Sequence, residues 1–174
     1  MANVPADVAQ AITRKKLRYA RYADQKEWDL FEKEVGTSDT QYEYQSPDGK
    51  TLVWGGKALK FASTKEFRAY YEPLYASMQP MHVLSPGDFT WAAGEGKEGG
   101  SNDEVEAVFA FDGVLVIPSL SSWAEMKCGG FYYETWKLVD DDWRLKDLCM
   151  RFQYEQRSLL MKLMIFMARF AMKS

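Results

Sequence analysis

The sequence predicts an α+β domain: helices first, an antiparallel sheet after them, and one more helix at the end. Three patterns carry that reading. Apolar residues recur at helical spacing between Asp7 and Tyr75, they alternate or run continuously as strands do from Met81 onward, and Glu155 to Ser174 returns to a helical stripe. The 174 residues are 47% hydrophobic and 15% aromatic, enough for one proper core. One domain therefore spans residues 1–174, with its body in 7–154 and an appended amphipathic helix in 155–174.

The first helix is expected to start at Asp7, which has capping-box spacing to Gln10. Val8, Ile12, Tyr19 and Tyr22 mark its buried side, and Arg14, Lys15, Lys16 and Arg18 read as a basic, solvated face. Asp24, with Glu27 three residues on, reads as the cap of a second helix whose stripe is Trp28, Phe31 and Val35 and whose stop is Gly36. Thr40 to Tyr44 and Thr51 to Trp54 read as short strands about the turn Ser46-Pro47-Asp48-Gly49. Ser63-Thr64-Lys65-Glu66 is a capping box opening a third helix with Phe67, Tyr70, Tyr71, Leu74 and Tyr75 at helical spacing. Pro73 is expected to kink or end that helix, and Pro80 to close the segment.

Val83 to Trp91 and Val105 to Ile117 then read as strands, joined by the flexible connection Gly94 to Asp103. Gly94, Gly96 and Gly99 satisfy G-x-G-x-x-G, but the match joins strand to strand and offers no helix to hold a pyrophosphate. A loop at Ser119 to Ser122 precedes a long hairpin, Cys128 to Phe152. With a two-residue turn at Asp140-Asp141, Leu138 faces Trp143, Trp136 faces Leu145, Glu134 faces Asp147, Tyr132 faces Cys149, and Gly130 lies opposite Arg151. One face of this hairpin is greasy near the turn and polar further along, as a small-molecule site is. In the final stripe Leu159, Leu160, Leu163, Met164, Met167, Phe170 and Ala171 share a side, widened by Met161, Ile165, Phe166 and Met172. Docking on its own domain, a homodimer contact and a membrane-surface helix all fit that stripe.

A net charge of −3 without a Lys/Arg stripe argues against nucleic acid as a partner. Nothing reaches the length of a membrane span, so no stable membrane insertion is expected. The start M-A-N-V-P-A-D has no basic region followed by an apolar run, and Cys128 and Cys149 read as reduced thiols, so a cytoplasmic protein is expected. One histidine, two distant cysteines and no H-x-x-x-H or C-x-x-C give no metal pattern. No G-x-S-x-G or phosphate loop is present either. The chemistry left is acid–base work without a cofactor.

Tyr22-Ala23-Asp24-Gln25-Lys26-Glu27-Trp28 resembles the Y-x-x-x-D-x-x-D/E-W start of SnoaL-like polyketide cyclases and scytalone dehydratase. His82 falls where that superfamily often has a histidine leading into a strand. Gly130-Phe131-Tyr132-Tyr133-Glu134 through Asp142-Trp143-Arg144-Leu145, then Arg151, is similar to its G-x-Y-x-x-x-W…D-G-x-W-R-I…R ending, with Asp141-Asp142 in place of the usual Asp-Gly. The resemblance implies a nuclear transport factor two-like cone, a curved antiparallel sheet wrapped around the N-terminal helices with a pocket at one end. It also implies isomerase, cyclase, dehydratase or epoxide hydrolase chemistry on small apolar metabolites, usually without cofactor or metal.

Within such a cone Glu134 is the first candidate general acid or base, since it shares a face with Tyr132 and Trp136 and burial would raise its pKa. Asp147 across the hairpin would split the two carboxyl pKa values. Arg151 would polarise a carbonyl or enolate oxygen. Asp24 is explained by capping alone, and the resemblance also puts it at the cone mouth. His82 is the only side chain whose unperturbed pKa suits proton shuttling near neutrality. Tyr132, Tyr22 and Tyr70 are candidate donors to an oxyanion. Trp54, Phe109, Phe111 and Trp136 would form the apolar wall, with Cys149 as a lining residue that lacks a motif-supported base. The expected function is a cofactor-independent isomerase or cyclase acting on a polyketide-, terpenoid- or alkaloid-type intermediate. A dehydratase and a non-catalytic binding cone are the alternatives.

Overall fold

The computed structural model describes residues 3–54, 56–92 and 102–163. Helix α1 runs unbroken over Ala6–Gln25, with Pro5 at its N-cap and Asp7 in its first turn instead of capping it. Its buried residues Ile12, Lys16, Tyr19, Ala20 and Ala23 fall at helical spacing on one face. Lys26 ends it in the left-handed conformation (φ 63°), and Glu27 is the N-cap of α2, Trp28–Glu34. Asp24 is thus a residue of the last turn of α1 and caps nothing.

β1 (Gly36–Gln45) is longer than expected. The segment after the 46–49 turn pairs with its own continuation as a small hairpin, β2 (Val53–Trp54) with β3 (Lys57–Ala58), apart from the main sheet. β4 (Lys60–Phe61) returns to β1. The Ser63 cap forms, with Glu66 N donating to Ser63 Oγ at 3.1 Å, and the Glu66 carboxylate reaches back one residue further than the N-cap to accept Ala62 N at 3.0 Å, opening α3 (Thr64–Ala76). Pro73 does not end this helix.

β5 (Gln79–Leu84) and β6 (Asp88–Trp91) divide the single strand expected over 83–91, and both pair with β7 (Glu104–Ile117). β8 (Ser121–Val139) and β9 (Asp142–Arg157) complete an unclosed sheet of order β4-β1-β9-β8-β7-β5. Its pairs are antiparallel apart from β1 with β9, which is parallel. The helices pack on its inner face. Phe67 of α3 stacks on Phe31 (5.5 Å) and Tyr42 (4.3 Å), and the core continues through Tyr19, Tyr132, Trp136, Leu145 and Leu148. Each such large apolar side chain contributes roughly 1.5–3 kcal/mol by leaving water.

The hairpin turn forms at Asp140 and Asp141, both at positive φ (48° and 61°) as a two-residue turn of this hand requires. Leu138↔Trp143 and Trp136↔Leu145 pair as expected. Lys146 is then an extra residue on β9, so Thr135 faces Asp147, Glu134 faces Leu148, Tyr133 faces Cys149 and Phe131 faces Arg151. That single bulge turns Asp147, Cys149 and Arg151 to the outer face. A second register shift follows at Gly129/Gly130.

The loop expected at 119–122 is a short 3-10 turn, Pro118–Leu120, with β8 already begun at Ser121. β9 extends to Arg157, so the final helix starts later than expected, and residues 159–163 are helical. The rest of that stripe, Met164 to Ser174, and most of the glycine-rich connection, Gly94 to Ser101, lie outside the described residues. Among the described residues no helix is long and apolar enough to cross a membrane.

Candidate active site

Between α3, the β2–β3 hairpin and the inner face of the sheet lies a cavity of about 110 Å³. Tyr44, Tyr71, Tyr75, Trp54, Phe111 and Phe152 are among the residues that line it. His82, on β5, projects into this cavity. The carboxylate of Asp24 holds it from the end of α1: Oδ2 accepts the His82 backbone N–H at 3.0 Å, and Oδ1 meets Nδ1 at 2.6 Å. Gln79 Nε2 donates to the Asp24 carbonyl at 2.9 Å and ties the helix end to the strand. The two side chains are 12% and 16% exposed. In the neutral imidazole, the tautomer that this contact with a carboxylate favours has its proton on Nδ1 and leaves Nε2 as the acceptor.

Glu134 belongs to a different assembly. Its Oε1 pairs with Lys16 Nζ and its Oε2 accepts from Trp136 Nε1 at 2.9 Å. Neither side chain of the ion pair has any exposed surface. Lys16 Nζ also lies 3.3 Å from the centroid of the Tyr132 ring and 4.1 Å from that of Tyr19. Burial pushes Lys16 down to about 8 and Glu134 up from the carboxylate range, while their mutual attraction opposes both shifts. The expected basic face of α1 is therefore half wrong. Arg14 and Arg18 are exposed, Lys16 is sealed, and Lys15 is buried with Nζ on Glu34 O (2.9 Å) and Asp142 Oδ2 (2.7 Å).

Tyr132, Trp136 and Phe109 pack around the Lys16–Glu134 pair and do not line the cavity. Tyr22 donates its hydroxyl to Glu34 Oε2 at 2.8 Å, and Tyr70 packs on Phe61 at 5.3 Å. On the outer face, Arg151 gives Nε and Nη2 to Gln45 Oε1 at 3.1 and 2.9 Å and lies over Tyr133. Partial burial raises the Asp147 carboxyl, against the pull of Lys146. Asp147, Arg151 and Cys149 thus stand apart from the buried Glu134 carboxylate and from the cavity. Of the expected wall, Trp54 and Phe111 reach it.

The tyrosines that line the cavity, Tyr44, Tyr71 and Tyr75, are ones that sequence reasoning placed in a short strand and in the stripe of α3 without naming them for the site. Tyr71 and Tyr75 occupy one face of α3 at i, i+4, which was the available signal. Burial pushes Tyr44 up to about 12 and Tyr71 and Tyr75 well above the usual phenol value, so all three are neutral hydrogen-bond donors at pH 7. The arrangement places a carboxylate-oriented imidazole at a largely apolar chamber whose lining includes Tyr44, Tyr71 and Tyr75.

No family model matches the chain. It is 32% identical over 151 residues to a probable cyclase of Gibberella zeae, covering 87% of this chain and 95% of that one. Among solved structures, a protein of Kribbella flavida superposes with a TM-score of 0.70 at 16% identity, over 95% of this chain and 99% of that one. A candidate scytalone dehydratase of Novosphingobium aromaticivorans gives 0.66 at 14% identity, over 84% and 85%. A hexachlorocyclohexane dehydrochlorinase of Novosphingobium barchaimii gives 0.64 at 10%, over 88% and 95%. The structural likenesses establish the cone, and the cyclase relative, matched along nearly the whole of both chains, establishes the lineage: the chain belongs to the SnoaL-like cyclase family of scytalone dehydratase-like, nuclear transport factor two-like proteins.

Proposed function

We propose that the protein is an acid–base enzyme, an isomerase or cyclase working without a cofactor, in which the Asp24–His82 pair moves the proton. The observation that carries this reading is the 2.6 Å contact from Asp24 Oδ1 to His82 Nδ1 beside an apolar cavity. His82 Nε2 takes a proton from a carbon next to a carbonyl, and the C–H electron pair becomes the C=C bond of an enolate. Asp24 holds the imidazolium that forms. The oxygen charge is met by a phenol hydroxyl of Tyr44, Tyr71 or Tyr75 in water-poor surroundings. Return of the proton to another carbon isomerises the substrate, and attack of the enolate carbon on an internal carbonyl cyclises it, the C=O π pair becoming an alkoxide that takes the proton back from His82. The name of the Gibberella zeae relative favours the second outcome. The apolar walls suit a polyketide- or terpenoid-type intermediate.

Exchange of the α-protons of 2-tetralone in D₂O, followed by NMR, tests the pair without the natural substrate. The wild type should accelerate exchange, and His82→Asn and Asp24→Asn should each lower the enzymatic rate by about 10²–10⁴-fold, the usual contribution of a positioned base. Unchanged exchange in folded His82→Asn would overturn the assignment.

A further inference from the structure

The strand register sets a second polar group in the same cavity. His82↔Gly113, Gly113↔Cys128 and Cys128↔Glu155 are successive direct pairs across four strands, and all four residues line the cavity. The adjacent row is Pro80↔Leu115↔Met126↔Arg157, and it lines the cavity too. Three strand spacings of about 4.8 Å put the Glu155 backbone roughly 14 Å from that of His82. Between these ends the floor is made of Gly113, Leu115, Met126 and Cys128, whose thiol burial keeps neutral, so the charged groups lie at the two ends and none lies between them on this floor. Arg157 Nε has no solvent-accessible surface and no hydrogen bond. Glu155 Oε1 is 2.6 Å from that nitrogen but out of line with its N–H, an ion contact without a directed bond. The two side chains are 31% and 27% exposed, more open than Asp24 and His82.

We infer that Arg157 and Glu155 form a second subsite that recognises a neutral polar terminus, a carbonyl or hydroxyl, on an elongated apolar substrate whose reacting carbon lies at His82. This rests on the acid–base reading of the cavity. The pair sets a donor beside an acceptor with no net charge, which matches a group that both accepts and donates. A carboxylate there would face the like charge of Glu155. Glu155 already holds Arg157 Nε at 2.6 Å, so an incoming group meets the open ends of the two side chains.

Calorimetric titration of the full chain with 3-phenylpropanamide, n-propylbenzene and 3-phenylpropionate tests the subsite. The amide should bind at least about tenfold more tightly than the hydrocarbon and more tightly than the acid. Arg157→Leu should abolish the preference for amide over hydrocarbon while keeping hydrocarbon affinity. Glu155→Gln, a near-isosteric change, should raise affinity for the acid. The inference falls if n-propylbenzene binds as tightly as the amide, if the preference survives Arg157→Leu, or if it is lost in His82→Asn and not in Arg157→Leu. Binding is read without turnover, so failure of the dyad in the exchange assay and failure of this subsite are separate results.

Discussion

Lys16 and Glu134 are each driven toward neutrality by burial, yet among the described residues each is the ion-pair partner of the other. Desolvation of two such groups rivals their attraction, so the pair adds little net stability while the loss of one partner strands a buried charge. Lys16→Met and Glu134→Leu should therefore each cost about 3–5 kcal/mol, and the double variant should be near neutral or more stable than the wild type. Urea unfolding of the four proteins checks this, and additive single effects would show that the pair is hydrated. Glu134→Gln should lose stability but keep the tetralone exchange rate per folded molecule, since Asp24–His82 does not touch Glu134. Asp147→Asn, on the outer face, should change neither, with stability within about 0.5 kcal/mol. A lysine between arginines on a helix normally means a solvated face. What seals Lys16 is a carboxylate 118 residues away, which no local pattern can announce.

At the scale of elements, the Ser63 cap, alternation and the acidic turn were legible because each is set by a few adjacent residues, whereas the caps expected at Asp7 and Asp24 did not form. Ser63 and Glu66, and Asp140 and Asp141, do what their spacing implies. The bulge at Lys146 was not legible, since one extra residue in a strand leaves the composition of that strand unchanged. It displaced three of the expected site residues at once. The glycines beside the second register shift show how tightly these strands are bent together. A Cβ on Gly130 would stand 2.1 Å from the Arg151 carbonyl oxygen, and backbone cannot step aside as a flexible side chain can. Gly130→Ala should cost about 1–3 kcal/mol, as overpacking of a tight site does, measured by thermal unfolding. A neutral result would mean that β8 and β9 can slide at this point, and with them the lining residues Cys128 and Glu155.

For the molecule as a whole, the sealed pair makes stability depend on pH in a range where surface carboxylates no longer titrate. The ordinary lysine value is 10.5 and that of Lys16 in the fold is about 8, so the unfolded chain binds the extra proton between them. Stability contributed by this group must then rise as pH increases from about 8 toward 10.5. Glu134 has the opposite sign, because its raised pKa contributes stability that is fully present below the ordinary carboxylate value and lost as pH rises through the folded one. The charged pair is therefore at its greatest disadvantage in the neutral range. Other titrating side chains are shared by the wild type and the Lys16→Met/Glu134→Leu protein and cancel in their difference. That difference in unfolding free energy should move in favour of the wild type between pH 8 and pH 10. Constancy across this interval would mean that Lys16 keeps its proton in the fold, and that ion pairing with Glu134 outweighs the desolvation of both groups.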